Sequence, residues 1–573
     1  MTENRVRPVS KRPAPARIDD DAWSGVDPVL AQIYAARGLS NGADLDYGLQ
    51  GLAPVSSLRG IEDAVALLLD HADKRITIIG DFDADGATST ALVIRCLREF
   101  GIGKVDYIVP NRFKFGYGLT PEIVAVAAEG KPDLLVTVDN GVSSVEGVDK
   151  AHSLGMKVLV TDHHLPGKRL PAADAMVNPN LDNDDFASPN LAGVGVAFYL
   201  MAALGRELES QGKSGSARIP ARYLDLVALG TVADVVRLDK NNRILVQQGI
   251  DRIRAGKTVA GIKALFALAG RNLKRAVSTD LGFVVGPRLN AAGRLEDMSV
   301  GIECLLTDDD AVAARFASML DEINRQRKDI EAKMRQEAFT YVDAMDARNL
   351  PHCVCLYDSD WHQGVVGLIA SRVRERCDRP VIAFAREDGG ILKGSARSVP
   401  GVHIRDLLEA VSTAEPGLII RFGGHAMAAG LNLEEADFSA FADLAAKKLG
   451  ELYPDADFSG AILTDGDLPA QAINLNFARV LREAGPWGAG FPEPVFSGDF
   501  HVDEQRTVGE NHLKLRVRPA SGGNTIDAIA FNQAGPAWRG VVQLTYRLDV
   551  NEFRGFESPQ LVVDQIVGIT SSR

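Results

Sequence analysis

Three aspartates at alternate positions, Asp81, Asp83 and Asp85, close the run Ile76-Thr-Ile-Ile-Gly-Asp-Phe-Asp-Ala-Asp-Gly-Ala-Thr88. In extended chain, side chains two residues apart point the same way, so the three acids can converge on one point. Carboxylates packed this closely repel one another, and a divalent cation with oxygen ligands is the simplest remedy. The string D-x-D-x-D-G also opens an EF-hand calcium loop. That loop needs a bidentate Glu at its twelfth position and a helix before it, whereas this chain has Leu92 and an apolar strand. A solvated acidic turn is the bland alternative.

The elements that must position these acids follow from hydrophobic patterning. After Gly86, Thr88 to Phe100 reads as a helix opened by small hydroxylated residues. Val105–Pro110 reads as a strand, Thr120–Ala128 as a helix, and Leu134–Val138 as a strand ending in Asp139-Asn-Gly. Val145–Leu154 reads as a helix and Lys157–Thr161 as a strand ending in Asp162-His-His164. Strands and helices alternating over short connections imply a parallel sheet with helices on both faces, an α/β fold. Ligands bind such sheets beyond the carboxyl ends of the strands. Asp81, Asp83, Asp85, Asp139, Asp162, His163 and His164 all fall at that end. A lone histidine is usually structural and a lone aspartate after a strand is usually a turn or cap. Three such strand ends together argue for a shared metal site, and carboxylates with imidazole suit Mn²⁺ or Mg²⁺ rather than a thiolate-bound zinc. Further on, Tyr223–Val236 is an apolar helix carrying Asp225 and Asp234. An acid there needs a cation or hydrogen bonds. Asp234, which ends the apolar run, is the favoured ligand, and either acid could instead be a cap.

The chain has 573 residues, enough for three to four domains, and a formal net charge of −13. That charge argues against a generally sticky basic protein but leaves room for a local basic groove that takes nucleic acid. Five cysteines (Cys96, Cys304, Cys353, Cys355, Cys377) form no paired framework and read as buried core. Residues 1–18 are basic and proline-containing without the apolar core of a signal peptide, so they read as a disordered tail. No apolar run reaches membrane-spanning length, and the expected location is cytoplasmic.

The second half carries candidate anion contacts. Gly282–Leu295 places Arg288, Asn290 and Arg294 among glycines and small residues, as a phosphate-contacting loop would. From Asp310 to Met345 one helix runs with an apolar stripe and a charged face, a connector between two halves. Strands follow at His352–Tyr357 and Pro380–Phe384. In Leu392–Ser398 the residues Lys393, Ser395 and Arg397 alternate as phosphate donors would, and Gly423-Gly-His425 offers backbone N–H groups beside an imidazole. Beyond Pro454, short alternating strands with basic and aromatic residues suit an OB barrel for single strands, and Pro486–Pro494 reads as the loop leading into it.

Gly80–Gly86, Val138–Gly141, Thr161–Pro166 and Leu229–Asp234 together resemble, in order and spacing, the motifs of DHH-family phosphoesterases. The resemblance implies a two-metal site with Asp81, Asp83, Asp85, Asp139, His163 and Asp234 as ligands of Mn²⁺ or Mg²⁺, and Asp162 and His164 as adjacent catalytic candidates. The portion around Lys393 to His425 resembles the DHHA1 substrate-binding domain. That likeness makes Ser395 and Arg397, with Arg112, candidates for holding a terminal 5′-phosphate and His425 for gripping the scissile region. The implied layout is a tail over 1–18, a DHH catalytic domain over 19–300 and a connecting helix over 301–345. A smaller α/β DHHA1 domain over 346–453 and an OB-fold over 454–573 complete it. The implied activity is 5′→3′ exonucleolytic hydrolysis of single-stranded DNA to 5′-mononucleotides in recombination and repair; a multidomain chain of this kind can work as a monomer, which is the expectation here. A single-strand-binding protein and a RecQ-type helicase are the implied protein partners. A small-substrate phosphoesterase or a non-catalytic DNA-binding scaffold would share some of these motifs; the barrel disfavours the first and the complete acid set the second.

Overall fold

The computed structural model describes residues 6–15, 19–111, 115–345, 350–509, 511–533, 535 and 537–568. The sequence candidate Arg112 lies outside them. The chain divides into two compact units. One comprises residues 1–287, 302–314 and 461–573, and the other residues 288–301 and 315–460.

In the first unit a short strand, β1 (Val9–Lys11), pairs in parallel with β12 (Ile462–Thr464). Gln565 closes on the same segment, accepting from the Arg7 amide and donating to the Arg7 carbonyl. The expected disordered tail is therefore an edge strand over part of its length. Its β-partner lies in the last quarter of the chain, and no local pattern could announce it. The central sheet is wholly parallel, in the order β3 (Val105–Ile108), β2 (Ile76–Ile79), β4 (Leu134–Val138), β5 (Lys157–Thr161), β6 (Ala175–Val177). Strands β2 and β4 are buried throughout because helices cover both faces. On one face Ile79, Leu135, Val158 and Val160 pack with Ile123, Val124 and Val148 of the helices Pro121–Glu129 and Val145–Ser153. The helices Ala84–Glu99, Gly193–Ser210 and Leu224–Ala233 complete the unit's core.

The C-terminal strands belong to this unit as well. β13 (Phe496–Val508), β14 (His512–Pro519), β15 (Ile526–Ala530), β16 (Val541–Phe553) and β17 (Phe556–Gly568) close into a barrel ordered β13-β14-β15-β17-β16. All pairs are antiparallel except β15 with β17. Phe496, Phe500 and Tyr546 fill its interior. The segment Pro486–Pro494 is, as expected, an irregular stretch leading into the barrel, and its aromatics are packed. Trp487 and Phe491 stack at 5.2 Å and both lie against Tyr34.

The second unit holds a mixed sheet ordered β10 (Arg421–Gly424), β11 (Ala428–Glu434), β9 (Ile391–Arg397), β8 (Val381–Arg386), β7 (Val354–Asp358). Apolar cores cover β8 on both sides: Ile382 and Phe384 face one, Val381, Ala383 and Ala385 the other. The 35-residue helix Asp310–Ala344 leads into this sheet. No helix among the described residues is long and apolar enough to cross a membrane.

Candidate metal centre and anion site

Strand β2 ends at Ile79, and the chain must turn directly into the helix Ala84–Glu99. Gly86 makes the reversal possible, since a Cβ there would meet the Asp81 backbone at 2.6 Å. Within the turn the acids take different work. Asp83 is the helix N-cap, its Oδ1 accepting from the amides of Asp85 and Gly86, each at 3.0 Å. Asp85, almost wholly buried, accepts from the amides of Gly193 (2.6 Å) and Val194 (2.9 Å) at the start of the next helix. Asp81 takes the Phe82 amide at 2.7 Å.

Asp139 follows β4 with φ of +64°, and Val235 follows Asp234 with φ of +63°. Left-handed backbone is costly for a β-branched residue, so two strained positions flank this one site. Gly193 lets Asp139 fit, because a Cβ at that position would lie 2.6 Å from the Asp139 carboxylate. Asn140 ties the strand end in place through the carbonyls of Ile79 and Val138.

These acids converge with histidine into overlapping groups, each with ligand atoms within 4.8 Å of one another: Asp81, Asp83 and Asp139; Asp85, His163 and Asp234; Asp139, His163 and His164. The first two groups share no residue, which suits two cations, and the third links them. His163 Nε2 lies 3.1 Å from Asp139 Oδ1 and 3.5 Å from Asp234 Oδ2. Both His163 Nε2 and Asp139 Oδ1 are buried without a hydrogen bond, a state that hard-cation ligation relieves.

Electrostatics agree. Burial, then repulsion from Asp234 and Asp83, pushes Asp85 well above the ordinary carboxylate range. Burial, then Asp85, Asp83 and Asp81, does the same to Asp139, and burial raises Asp234. Burial also holds His163 below its ordinary value, leaving a neutral ring nitrogen. Neutral imidazole and oxygen donors without a thiolate fit Mn²⁺ or Mg²⁺.

Asp162 stands apart from the sets. Its Oδ1 accepts from the amides of His163 (2.7 Å) and His164 (3.1 Å) and from His164 Nδ1 (2.7 Å), while Oδ2 takes the Val142 amide (2.9 Å). Burial opposes its charge, but the hydrogen bond and charge of His164 prevail and bring it down to about 2. The same pairing outweighs burial at His164 and raises it to about 9. Asp162 thus orients the histidines.

Tyr117 was not anticipated from the sequence. Its hydroxyl donates to the Asp139 carbonyl at 3.2 Å and lies 3.1 Å from His164 Nδ1, and its ring meets those of Phe82 and His164 edge-on. Its place in the loop beyond the carboxyl end of β3 was the available signal. Asp225 is not in the cluster: it accepts from the Thr258 hydroxyl and the Val259 amide, just ahead of the helix Ala260–Leu268.

In the second unit the candidates separate into two sets. Lys393, Ser395 and Arg397 occupy the half-buried positions of β9, alternating with buried Leu392, Gly394 and Ala396. The helix Val366–Cys377 starts against them: a Cβ on Gly367 would lie 2.8 Å from Ser395 Oγ and 3.0 Å from an Arg397 terminal nitrogen. A helix N-terminus beside a guanidinium and a hydroxyl favours an anion. Gly423 and Gly424 pair with Gly430 and Ala429 in the hairpin beside β9, and His425 begins its turn, its amide donating to Ala428. By contrast, Arg288, Asn290 and Arg294 are not on a loop. Gly286–Leu295 is helical, preceded by a π-helical turn at Leu281–Val285. Arg288 pairs with Asp321 at 2.9 Å and Arg294 donates to the Gly364 carbonyl at 3.1 Å, so both have work within the unit.

A parallel sheet carries an Asp/His cluster at the carboxyl ends of its strands, as the likeness to DHH phosphoesterases implied. Residues 75–231 match the family model of the DHH N-terminal domain, residues 350–451 the DHHA1 domain, and residues 464–565 the RecJ OB domain. A single-stranded-DNA-specific exonuclease RecJ from Dickeya dadantii is 50% identical, the match covering 99% of either chain. The crystal structure of RecJ from Thermus thermophilus with Mn²⁺ superposes with a TM-score of 0.81 at 31% identity, covering 100% of this chain and 81% of that one. The Mg²⁺ complex gives 0.75 at 30% identity, covering 99% and 79%. The chain belongs to the RecJ family.

Proposed function

We propose that this protein is a metal-dependent exonuclease that hydrolyses single-stranded DNA from its 5′ end and releases 5′-mononucleotides, in DNA recombination and repair. Three observations support the reading: family membership, the barrel domain that small-substrate hydrolases do not need, and the complete acid cluster. The observation that carries it is the buried, unpartnered pair His163 Nε2 and Asp139 Oδ1 between two disjoint ligand groups.

Two Mn²⁺ or Mg²⁺ ions held by these side chains would lower the pKa of a water and neutralise charge on the phosphate under attack. The ligand assignment is Asp81, Asp83 and Asp139 on one side and Asp85, His163 and Asp234 on the other. Asp162 fixes the two histidines, through the amides of both and through His164 Nδ1, which places His164 beside the cluster to assist proton transfer. Ser395 and Arg397, at the start of the helix Val366–Cys377, receive the terminal 5′-phosphate, with Lys393 beside them; Gly423, Gly424 and His425 contact the backbone. The protein acts as a cytoplasmic monomer, taking strands opened by a helicase of RecQ type and coated by single-strand-binding protein.

Strands of single-stranded and duplex DNA, labelled at either end, test the reading with Mn²⁺ or Mg²⁺. Early release of 5′ label as mononucleotide from the single strand alone is expected. Early release from the 3′ end, or equal attack on the duplex, refutes it.

A further inference from the structure

The β16–β17 hairpin ends in the two-residue turn Arg554-Gly555, with φ of +52° and +82°. Such a turn matches the right-handed twist of the flanking strands, so the hairpin stays regular to its end. Phe553 and Phe556 face one another across it as the last register pair, and cross-strand partners leave the same face of the ribbon. They are 65% and 80% exposed. The Arg554 guanidinium carbon lies 5.2 Å from the centre of the Phe553 ring. Just below, Arg275 and Arg479 both grip Glu557, and Arg275 reaches Glu552 at 2.9 Å. The tip is thereby tied to the body of the unit.

One exposed phenylalanine on a surface needs no explanation. Two in register, under a guanidinium, at the end of a salt-bridged ribbon, contribute nothing to a core and present flat apolar faces beside positive charge. Aromatic faces next to cations take stacked bases and the phosphates that join them. The position agrees, because the connection between the fourth and fifth strands of an OB barrel is one of its ligand-facing loops. We propose that Phe553 and Phe556 form a stacking platform for bases of a single strand, with Arg554 meeting the adjoining phosphate, outside the metal centre. The proposal rests on the single-strand nuclease reading and adds to it a grip that sets affinity rather than the chemical step.

The test compares the parent with F553A/F556A and F553Y/F556Y. Each is titrated by fluorescence anisotropy with a DNA strand of about 16 nucleotides and with an abasic strand of the same length. The platform predicts that the alanine pair weakens binding of the DNA strand by about tenfold or more, since each stacked base contributes that order. The tyrosine pair keeps parental affinity, the abasic strand binds parent and alanine pair alike, and KM for digestion rises with kcat unchanged. Parental affinity of the alanine pair for the DNA strand overturns the platform and leaves the nuclease reading standing. Equal weakening on the abasic strand overturns the stacking role. Loss of self-association in the alanine pair, with strand binding intact, assigns the rings to a second copy of the chain and also overturns it. A parent that digests no strand removes the nuclease reading, and the platform's substrate with it.

Discussion

His163 Nε2 and Asp139 Oδ1 lie 3.1 Å apart, buried, in an orientation that makes no hydrogen bond. Their electrostatic situation in the metal-free protein is unfavourable, and that has measurable consequences. Asp85, Asp139 and Asp234 all titrate above their ordinary value, burial being the leading cause.

The pH dependence of metal-free stability follows. Acids with raised folded values bind more protons folded than unfolded, so their contribution falls as pH rises above the ordinary carboxylate range. His164, raised from 6.5 to about 9, stabilises fully below 6.5 and loses that contribution as pH rises through 9. Asp162, lowered from 3.8 to about 2, stabilises above 3.8 and loses that contribution only as pH falls through 2. His163, lowered by burial, works the other way, its contribution being lost as pH falls below 6.5. Thermal melts in EDTA are therefore expected to show Tm falling from about pH 6.5 to 9, with Mn²⁺ raising Tm more at the alkaline end. A metal-free Tm that is flat or rises over that range contradicts the electrostatic account.

Asp162→Asn removes an acceptor that orients two histidines without touching the cations in the assignment above. Loss of such a supporting group costs about 10 to 100-fold in activity or metal affinity. Steady-state digestion rates and Mn²⁺ titration check this; parental values for both would show that the hydrogen bonds of Asp162 are dispensable.

Gly193→Ala puts a methyl 2.6 Å from the Asp139 carboxylate at the start of a helix that otherwise tolerates alanine. Weaker Mn²⁺ binding is expected with far-ultraviolet circular dichroism unchanged. Unaltered affinity would mean that Asp139 has room to move.

The barrel is fastened to the N-terminal helices by a buried ion pair. Arg37 and Asp465, 1% and 2% exposed, meet at 2.7 Å, and Arg37 also donates to the carbonyls of Ile33 and Pro492. Removing one partner of such a pair costs about 3 to 5 kcal/mol. Asp465→Asn is expected to lower the denaturation midpoint accordingly, with metal affinity intact; a change below about 1 kcal/mol would indicate a pair already compensated by solvent.

The parallel sheet and its acidic strand ends were legible because β-branched runs stop abruptly at Asp81, Asp139 and Asp162, a pattern that local physics alone produces. The division of labour among the acids was not. Nothing in sequence spacing says that Asp162 spends both oxygens on amides and His164, or that Asp225 is taken up by Thr258 and Val259, some thirty residues on. Tyr117 escaped notice because one aromatic in a glycine-rich loop carries no periodic signal. Arg288 and Arg294 read as loop residues through their neighbouring Gly and Pro, yet the chain is helical from Ser278 to Leu295, with Pro287 just after the π-helical turn Leu281–Val285 that interrupts the regular ladder. The pairing of β1 with β12 depended on a partner remote in sequence.

The most direct test of the metal-centre assignment measures Mn²⁺ stoichiometry and digestion of a 5′-phosphorylated single strand on the same samples of parent and Asp139→Ala. The account predicts two ions per chain and steady release of mononucleotides for the parent, with both lost in the variant. Equal digestion by the two proteins, or none by the parent with Mn²⁺ or Mg²⁺, would contradict it.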